Sequence, residues 1–187
     1  VAIIEVSPDQ VIFTRKVAVE GDFGNPRRCD DAINAGGTDA VTVEEVVCGA
    51  LAIAVLAGLG EGLAMPLVLG SFGASCVLVF GFPEVPFSQP RNVVLGHFLS
   101  SLIGLAFLNL CGGHWWSLAL AVGTAMAVMM LTRTVHPPAG SNPVIVFLVQ
   151  PGWSFLFLPT LGGAVLLVLV ALAYNNLRRP TAYPKYW

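Results

Sequence analysis

Six apolar segments, 46–60, 63–82, 93–110, 116–132, 143–149 and 155–177, occupy most of this chain and decide what solvent it can fold in. A helix crossing about 30 Å of hydrocarbon needs about 20 apolar residues. Segments 93–110, 116–132 and 155–177 approach that length, and 46–60 reaches it if residues 43–46 extend it. Segment 143–149 is far too short to span alone. Segment 63–82 is long enough, but "MPLVLGSFGAS" interrupts it with a proline, glycines and two serines. Only 11% of the 187 residues are charged, against about 25% in a soluble domain, and the charges gather outside the apolar stretches. The expected fold is an all-α membrane protein. It has four full transmembrane helices plus two half-helix, re-entrant or broken segments, arranged in two related halves.

Basic residues set the orientation. Arg15, Lys16, Arg27 and Arg28 precede the first span, Arg178, Arg179 and Lys185 follow the last, and only Arg91 and Arg133 lie between. Both ends therefore read as cytoplasmic, and the number of crossings as even. Trp115, Trp116, Tyr183, Tyr186 and Trp187 suit an interfacial aromatic belt.

Residues 1–43 form a separate polar, extra-membrane region, and 44–187 the transmembrane domain. The first 19 residues carry short β-prone runs, and "EGDFGNPRRCDDAINAGGTDA" reads as loop. Charges within residues 1–20 argue against a signal peptide there. The four cysteines are widely spaced without a CxxC pair, so no metal site or disulfide framework is expected. A small buried hydrophobe is the simplest reading of Cys48, Cys76 and Cys111. No basic stripe points to nucleic acid.

Small residues recur four apart at Gly58 and Gly62, at Gly96, Ser100 and Gly104, and at Ala119, Gly123 and Ala127, which lets helices pack closely in lipid. The two interrupted segments also resemble each other. "SFGASCVLVF" (71–80) placed over "PAGSNPVIVF" (138–147) aligns Gly73 with Gly140, Val77 with Val144, Val79 with Val146 and Phe80 with Phe147, and sets Ser75 on Asn142. Each is second in a set of three apolar segments, the pattern of a transporter built from two repeats with discontinuous helices.

The densest chemistry lies in "TRTVHPPAGSNPVIVF" (132–147). Pro137 and Pro138 stop the preceding helix and bias Val135 and His136 toward extended backbone. Gly140 supplies backbone freedom. Asn142 reads as an N-cap with Pro143 at the first helical position, and Ser75 as the cap of the counterpart half-helix. Two positive helix ends facing one another would make an anion site.

"TRTVHPPAGSNPVIV", with "LGSFGAS", "QPRNVVLGH" and the terminal "YNNLRRPTAYPKYW", resembles the HPP family of small integral membrane proteins, named for a His-Pro-Pro motif. The resemblance runs from roughly Glu45 to Trp187. It implies four transmembrane helices and, because plant plastid members are associated with nitrite transport, a nitrite or related anion as substrate. A bacterial inner membrane, or a plastid membrane with both termini stromal, is the implied location.

The candidate substrate-binding residues are Ser71, Gly73, Ser75, Arg133, His136, Pro137, Pro138, Gly140, Ser141 and Asn142. His136 reads equally as a ligand or proton carrier and as a satisfied histidine holding irregular backbone; an ionisable group at membrane depth keeps the first reading open. Arg133 could draw anions inward or simply snorkel. Arg91 fits a loop anchor, His97 an interhelical hydrogen bond, His114 the interface, and Asn175 and Asn176 the end of the last helix. Glu61 could couple protons or sit at a loop edge. The leading expectation is a small-anion transporter or channel acting as a homo-oligomer in the lipid bilayer, without a cofactor. The alternative is an accessory or structural subunit among other membrane subunits. No GxSxG, HExxH or Ser/His/Asp set marks an enzyme.

Overall fold

The computed structural model describes residues 3–7, 10–14, 43–178 and 182–187, with side chains from residue 43 onward. The readings made on Arg15, Lys16, Arg27, Arg28, Cys29, Arg179 and the loop at 20–40 lie outside the described residues. The chain divides into two compact units, 1–46 and 47–187. In the first, β1 (Ile3–Ser7) and β2 (Gln10–Thr14) pair antiparallel, with Ile3 opposite Thr14 and Ser7 opposite Gln10. Three β-branched residues in each five-residue run are what such a ladder favours.

Each of the six apolar segments contains a helix. Helix α1 is Val43–Gly62, so residues 43–46 do extend the first segment. Helix α2 is Phe72–Cys76, prolonged by a π-turn over Val77–Gly81. Helices α3 (Pro90–Cys111) and α4 (Trp115–Leu131) follow. A 3₁₀ turn over Pro137–Ser141 runs directly into α5 (Asn142–Val149). Helix α6 (Gly162–Arg178) closes the set, after turns at Trp153–Leu156 and Phe157–Leu161. Three helical stretches, Val43–Gly62, Pro90–Cys111 and Trp153–Arg178, are long and apolar enough to cross a membrane. At 1.5 Å per residue, the stretch from Phe72 to Gly81 reaches only about 15 Å and that from Pro137 to Val149 about 20 Å, roughly half to two-thirds of a bilayer core.

The breaks have local causes. After α1 the chain turns at Ala64, with φ 52, and stays non-helical to Gly70. After α4 it turns at Arg133, with φ 56, and His136 is extended at φ −133, as two following prolines require. A cluster of buried side chains including Leu56, Leu67, Phe72, Phe80, Leu105 and Leu167 forms the core of the second unit. Helix α1 contributes little to it: Leu51, Val55 and Leu59 are exposed, as a face turned to lipid tails would be.

The two halves correspond residue by residue. Setting Ser75 on Asn142 is a shift of 67 residues, and that shift carries one set of bonds onto another. The Phe72 amide bonds Leu69 O at 3.0 Å, and Ala139 bonds His136 O at 2.9 Å. Ser88 bonds Val85 O, and Phe155 bonds Gly152 O, both at 3.1 Å. Asn109 Nδ2 reaches back to Leu105 O, and Asn176 Nδ2 to Leu172 O. Between halves the correspondence is crossed. A Cβ on Gly96 would stand 3.1 Å from Thr134 O, and a Cβ on Gly163 would collide with Leu67 O. Gly163 is Gly96 shifted, and Thr134 is Leu67 shifted. The third helix of each half therefore presses a glycine on the backbone leading into the other half's short helix. Such an approach leaves no room for a Cβ at Gly163 and crowds one at Gly96.

Not every small-residue face does this. The α3 face does: Gly104 meets Pro143 as Gly96 meets His136. On α4 the Ala119, Gly123 and Ala127 stripe is not the packed one; Ser117, Ala121, Ala125 and Met129 are buried instead. Gly58 and Gly62 meet no neighbour that a Cβ would touch.

Candidate functional site

The packing of Gly96 on the 134–136 backbone builds a polar cluster inside an apolar bundle. Ser75 Oγ lies 2.9 Å from His97 Nε2 and 2.8 Å from His136 Nε2. The Asn142 amide nitrogen lies 3.0 Å from His97 Nδ1, 3.1 Å from His97 O and 3.0 Å from Ser101 Oγ. Ser71 Oγ donates to Asn142 Oδ1 at 2.7 Å, tying the start of α2 to the start of α5. Thr160 donates to Ser101 at 3.2 Å, and Ser100 to Ala139 O at 2.6 Å. Ser75, His97, Ser100, Ser101, His136, Asn142 and Thr160 are all fully buried.

The hydrogen positions follow from the network. A carbonyl only accepts, so the 2.7 Å contact between His136 Nδ1 and Phe87 O places a hydrogen on Nδ1. The Nε2 of that neutral ring is then bare. The Asn142 amide is oriented by His97 O, beside which its own oxygen could not sit, so its nitrogen donates. Facing that donor, His97 Nδ1 is bare and Nε2 carries the hydrogen. His97 Nε2–H thus donates to Ser75 Oγ, and Ser75 O–H donates to His136 Nε2. The cluster is a directed chain of hydrogen bonds in which each contact has one direction.

Around it the loop is fastened. Arg91 Nη2 donates to Thr132 O at 3.2 Å, and Asn92 Nδ2 to Val135 O at 3.0 Å. Tyr183 O–H donates to Ser88 O at 2.7 Å, and Lys185 pairs with Glu84 at 2.9 Å. This C-terminal strap holds the turn that carries Phe87. Burial pushes the Tyr183 phenol above its usual range. Tyr183 is therefore a buried tie rather than a belt residue, whereas Trp115, Trp116, Tyr186 and Trp187 are exposed.

The family model described as HPP, transmembrane region, matches residues 38–184. The chain belongs to the HPP family. Two transmembrane proteins of Dictyostelium discoideum are similar to it. One is 39% identical over 131 residues, 66% of this chain and 46% of the relative. The other is 38% identical over 128 residues, 64% of this chain and 41% of the relative. The chain thus spans less than half the length of these curated relatives. No solved structure matches it.

In this HPP chain, four of the expected site residues come together: Ser71, Ser75, His136 and Asn142. The others do not. Gly73 and Gly140 have nothing within reach of a Cβ, so neither serves a close approach. Pro137 and Ser141 are exposed, Pro138 is half-buried, and the exposed Arg133 makes the turn into the motif. Ser141 Oγ is used locally, on Pro138 O.

The capping role also differs from expectation. Asn142 is already helical, at φ −61 and ψ −40, and neither short helix has a side-chain cap bond. The physical reason is the double proline. It opens the helix at Pro137 with two residues that have no N–H to satisfy, and the next amide, Ala139, bonds His136 O. Ser75 lies inside α2, its amide on Ser71 O. Freed from capping, both side chains turn onto His97, one at each ring nitrogen. Bare helix-end amides are therefore not what this site offers; hydroxyl, carboxamide and imidazole groups are.

His97, Ser100, Ser101 and Thr160 were not among the expected ligands. The signal for the first three is a histidine and two serines on one face of an apolar span, at spacings that stack on a helix. Asn175 proves to be buried, tied to Val79 O, and Asn176 holds both Leu172 O and Tyr183 O.

Proposed function

We propose that this HPP chain carries a small inorganic anion across the membrane, with nitrite as the first substrate to test. The observation that carries the reading is the fully buried Ser75–His97–His136–Asn142 cluster where the two short helices meet. Burying so many polar groups at membrane depth is costly, and packing does not demand it. Hydroxyl, imidazole and carboxamide hydrogens suit a compact anion such as nitrite. The site of contact is the Ser71–Asn142 junction, where the bond between the two short helices would open to admit the ion. The π-turn directly after α2 gives that helix a place to move, as π-turns at functional sites do.

Around this core the reading places four full spans and two short segments, with both termini on the cytoplasmic or stromal side of a bacterial inner membrane or a plastid membrane. A chain with so few spans encloses little space, so a homo-oligomer is the working unit. The test is flux into liposomes containing only the full chain, comparing nitrite with nitrate, chloride and formate. Selective anion uptake above protein-free liposomes supports the reading, and its absence removes it. One observation favours the alternative, an accessory subunit of a larger membrane assembly. The cluster is closed: its side chains are fully buried, and two grooves of about 280 and 450 Å³ are lined by residues such as Gly60, Met65, Ile145 and Pro159, not by the histidines. A subunit of that kind would co-purify with other chains and show no flux alone.

A further inference from the structure

An anion entering this cluster meets dipoles: the two imidazoles are hydrogen-bonded to Ser75, Asn142 and the Phe87 carbonyl. A single charge in so dry a place is stable only beside an opposite one. The neutral cluster holds a place for that opposite charge. His136 Nε2 is bare, and the hydroxyl that donates to it has a second acceptor in reach, Ser71 O at 3.2 Å.

We propose that His97, Ser75 and His136 together take up a single proton with each anion, so that the two cross as a neutral pair. This deepens, and rests on, the reading of the chain as an anion carrier. The proton comes from a hydronium ion, which leaves as water, and an N–H bond forms at His136 Nε2. Ser75 keeps its own hydrogen and turns it to Ser71 O, and its two lone pairs then accept from both rings. A second proton has no seat. The remaining bare nitrogen, His97 Nδ1, faces the Asn142 amide at 3.0 Å, and protonating it would oppose two donors.

The titratable and charged groups around the cluster are placed otherwise. Cys76 follows Ser75 on α2. Arg91, on α3, is bound to Thr132 O, and Arg133 makes the turn after α4. Glu84, in the loop carrying Phe87, is paired with Lys185, and Tyr183 is bound to Ser88 O. Helix α6 and the turn before it bring the Thr160 hydroxyl.

The experiment uses the full chain in liposomes holding a pH-sensitive dye, with protein-free liposomes giving the leak of nitrous acid. An inward nitrite gradient should acidify the lumen by one proton per nitrite and be indifferent to membrane potential. Ser75→Ala should lower coupled nitrite and proton uptake about tenfold, the loss of one buried bond to a charged ring. Ser75→Thr, which keeps the hydroxyl, should retain that uptake and guards against a folding artefact. Nitrite flux that follows the potential and moves no protons overturns this inference while leaving the carrier reading intact; no anion flux at all overturns both. Nitrogen-15 spectra of histidine-labelled chain supply a readout free of transport. Wild type should show one ring protonated at Nδ1 and one at Nε2, with a single cation formed between them on acidification. Two rings charging independently, unchanged by Ser75→Ala, contradicts the proposal.

Discussion

At the junction built on Gly96, α3 offers His97, Ser100 and Ser101 to a segment that answers with Thr134, His136 and Ala139. At the junction built on Gly163, 67 residues on, α6 offers Ala164, Leu167 and Val168 to Leu67, Leu69 and Phe72. The backbone contact is the same, a glycine pressed on the carbonyl that precedes a short helix. The side chains are opposite in kind. The apolar junction shows that the geometry holds together on packing alone. The histidines and serines of the polar junction are therefore more than that backbone contact requires, which is the physical ground for proposing a function for them.

The comparison can be broken most forcefully at Leu167, the counterpart of Ser100. Leu167→Ala should cost about 2–5 kcal/mol, as a cavity in a fully buried site does. Ser100→Ala, which gives up the bond to Ala139 O, should cost only about 1 kcal/mol. Unfolding of the detergent-solubilised protein would rank them, and the reverse order would mean that the polar junction is the structural one. Gly163→Ala should cost about 1–3 kcal/mol by overpacking. It should exceed Gly96→Ala, because the added carbon meets a backbone carbonyl and the Phe72 ring rather than mainly a side-chain carbon 2.8 Å away.

Next in size is Asn142→Ala. As a cap it would be worth about 1 kcal/mol. As the amide holding Ser71, His97 and Ser101 it should leave buried partners unmet, at about 1–3 kcal/mol, and lower anion flux in correctly inserted protein. The smallest effect belongs to the strap. With its phenol raised by burial, Tyr183 contributes stability that is full below the ordinary tyrosine range and is lost as pH rises through its own higher value. Tyr183→Phe should remove that alkaline dependence at a cost of about 1 kcal/mol, read as a thermal shift near pH 7 and near pH 10.

Much of this was legible in the sequence. Every apolar segment contains a helix, the interruption at 63–71 is real, and placing Ser75 on Asn142 found the register that the backbone bonds obey. Periodicity and proline chemistry are local, so one chain sufficed. What stayed hidden is the side-chain direction. "SNP" reads as a cap because Asn and Pro favour that place, yet a helix opened by Pro137 and Pro138 needs no cap, and that freedom sends Asn142 toward His97. His97 itself looked like an ordinary interhelical bond. That was right as far as it went, but its partners are 22 and 45 residues away, beyond the reach of local pattern. Tyr183 resembled a belt aromatic for the same reason, its acceptor being 95 residues distant.

The central claim is that one junction works and its counterpart only packs. His136 and Leu69 occupy equivalent places in the two, so the direct measurement compares His136→Ala with Leu69→Ala by nitrite flux in liposomes, per correctly inserted chain, across about pH 4–8, a window that reaches below the ordinary histidine range. The account predicts that His136→Ala lowers flux and flattens its pH response, whereas Leu69→Ala leaves both as in the wild type. Equal flux and equal pH response in the two variants would contradict it.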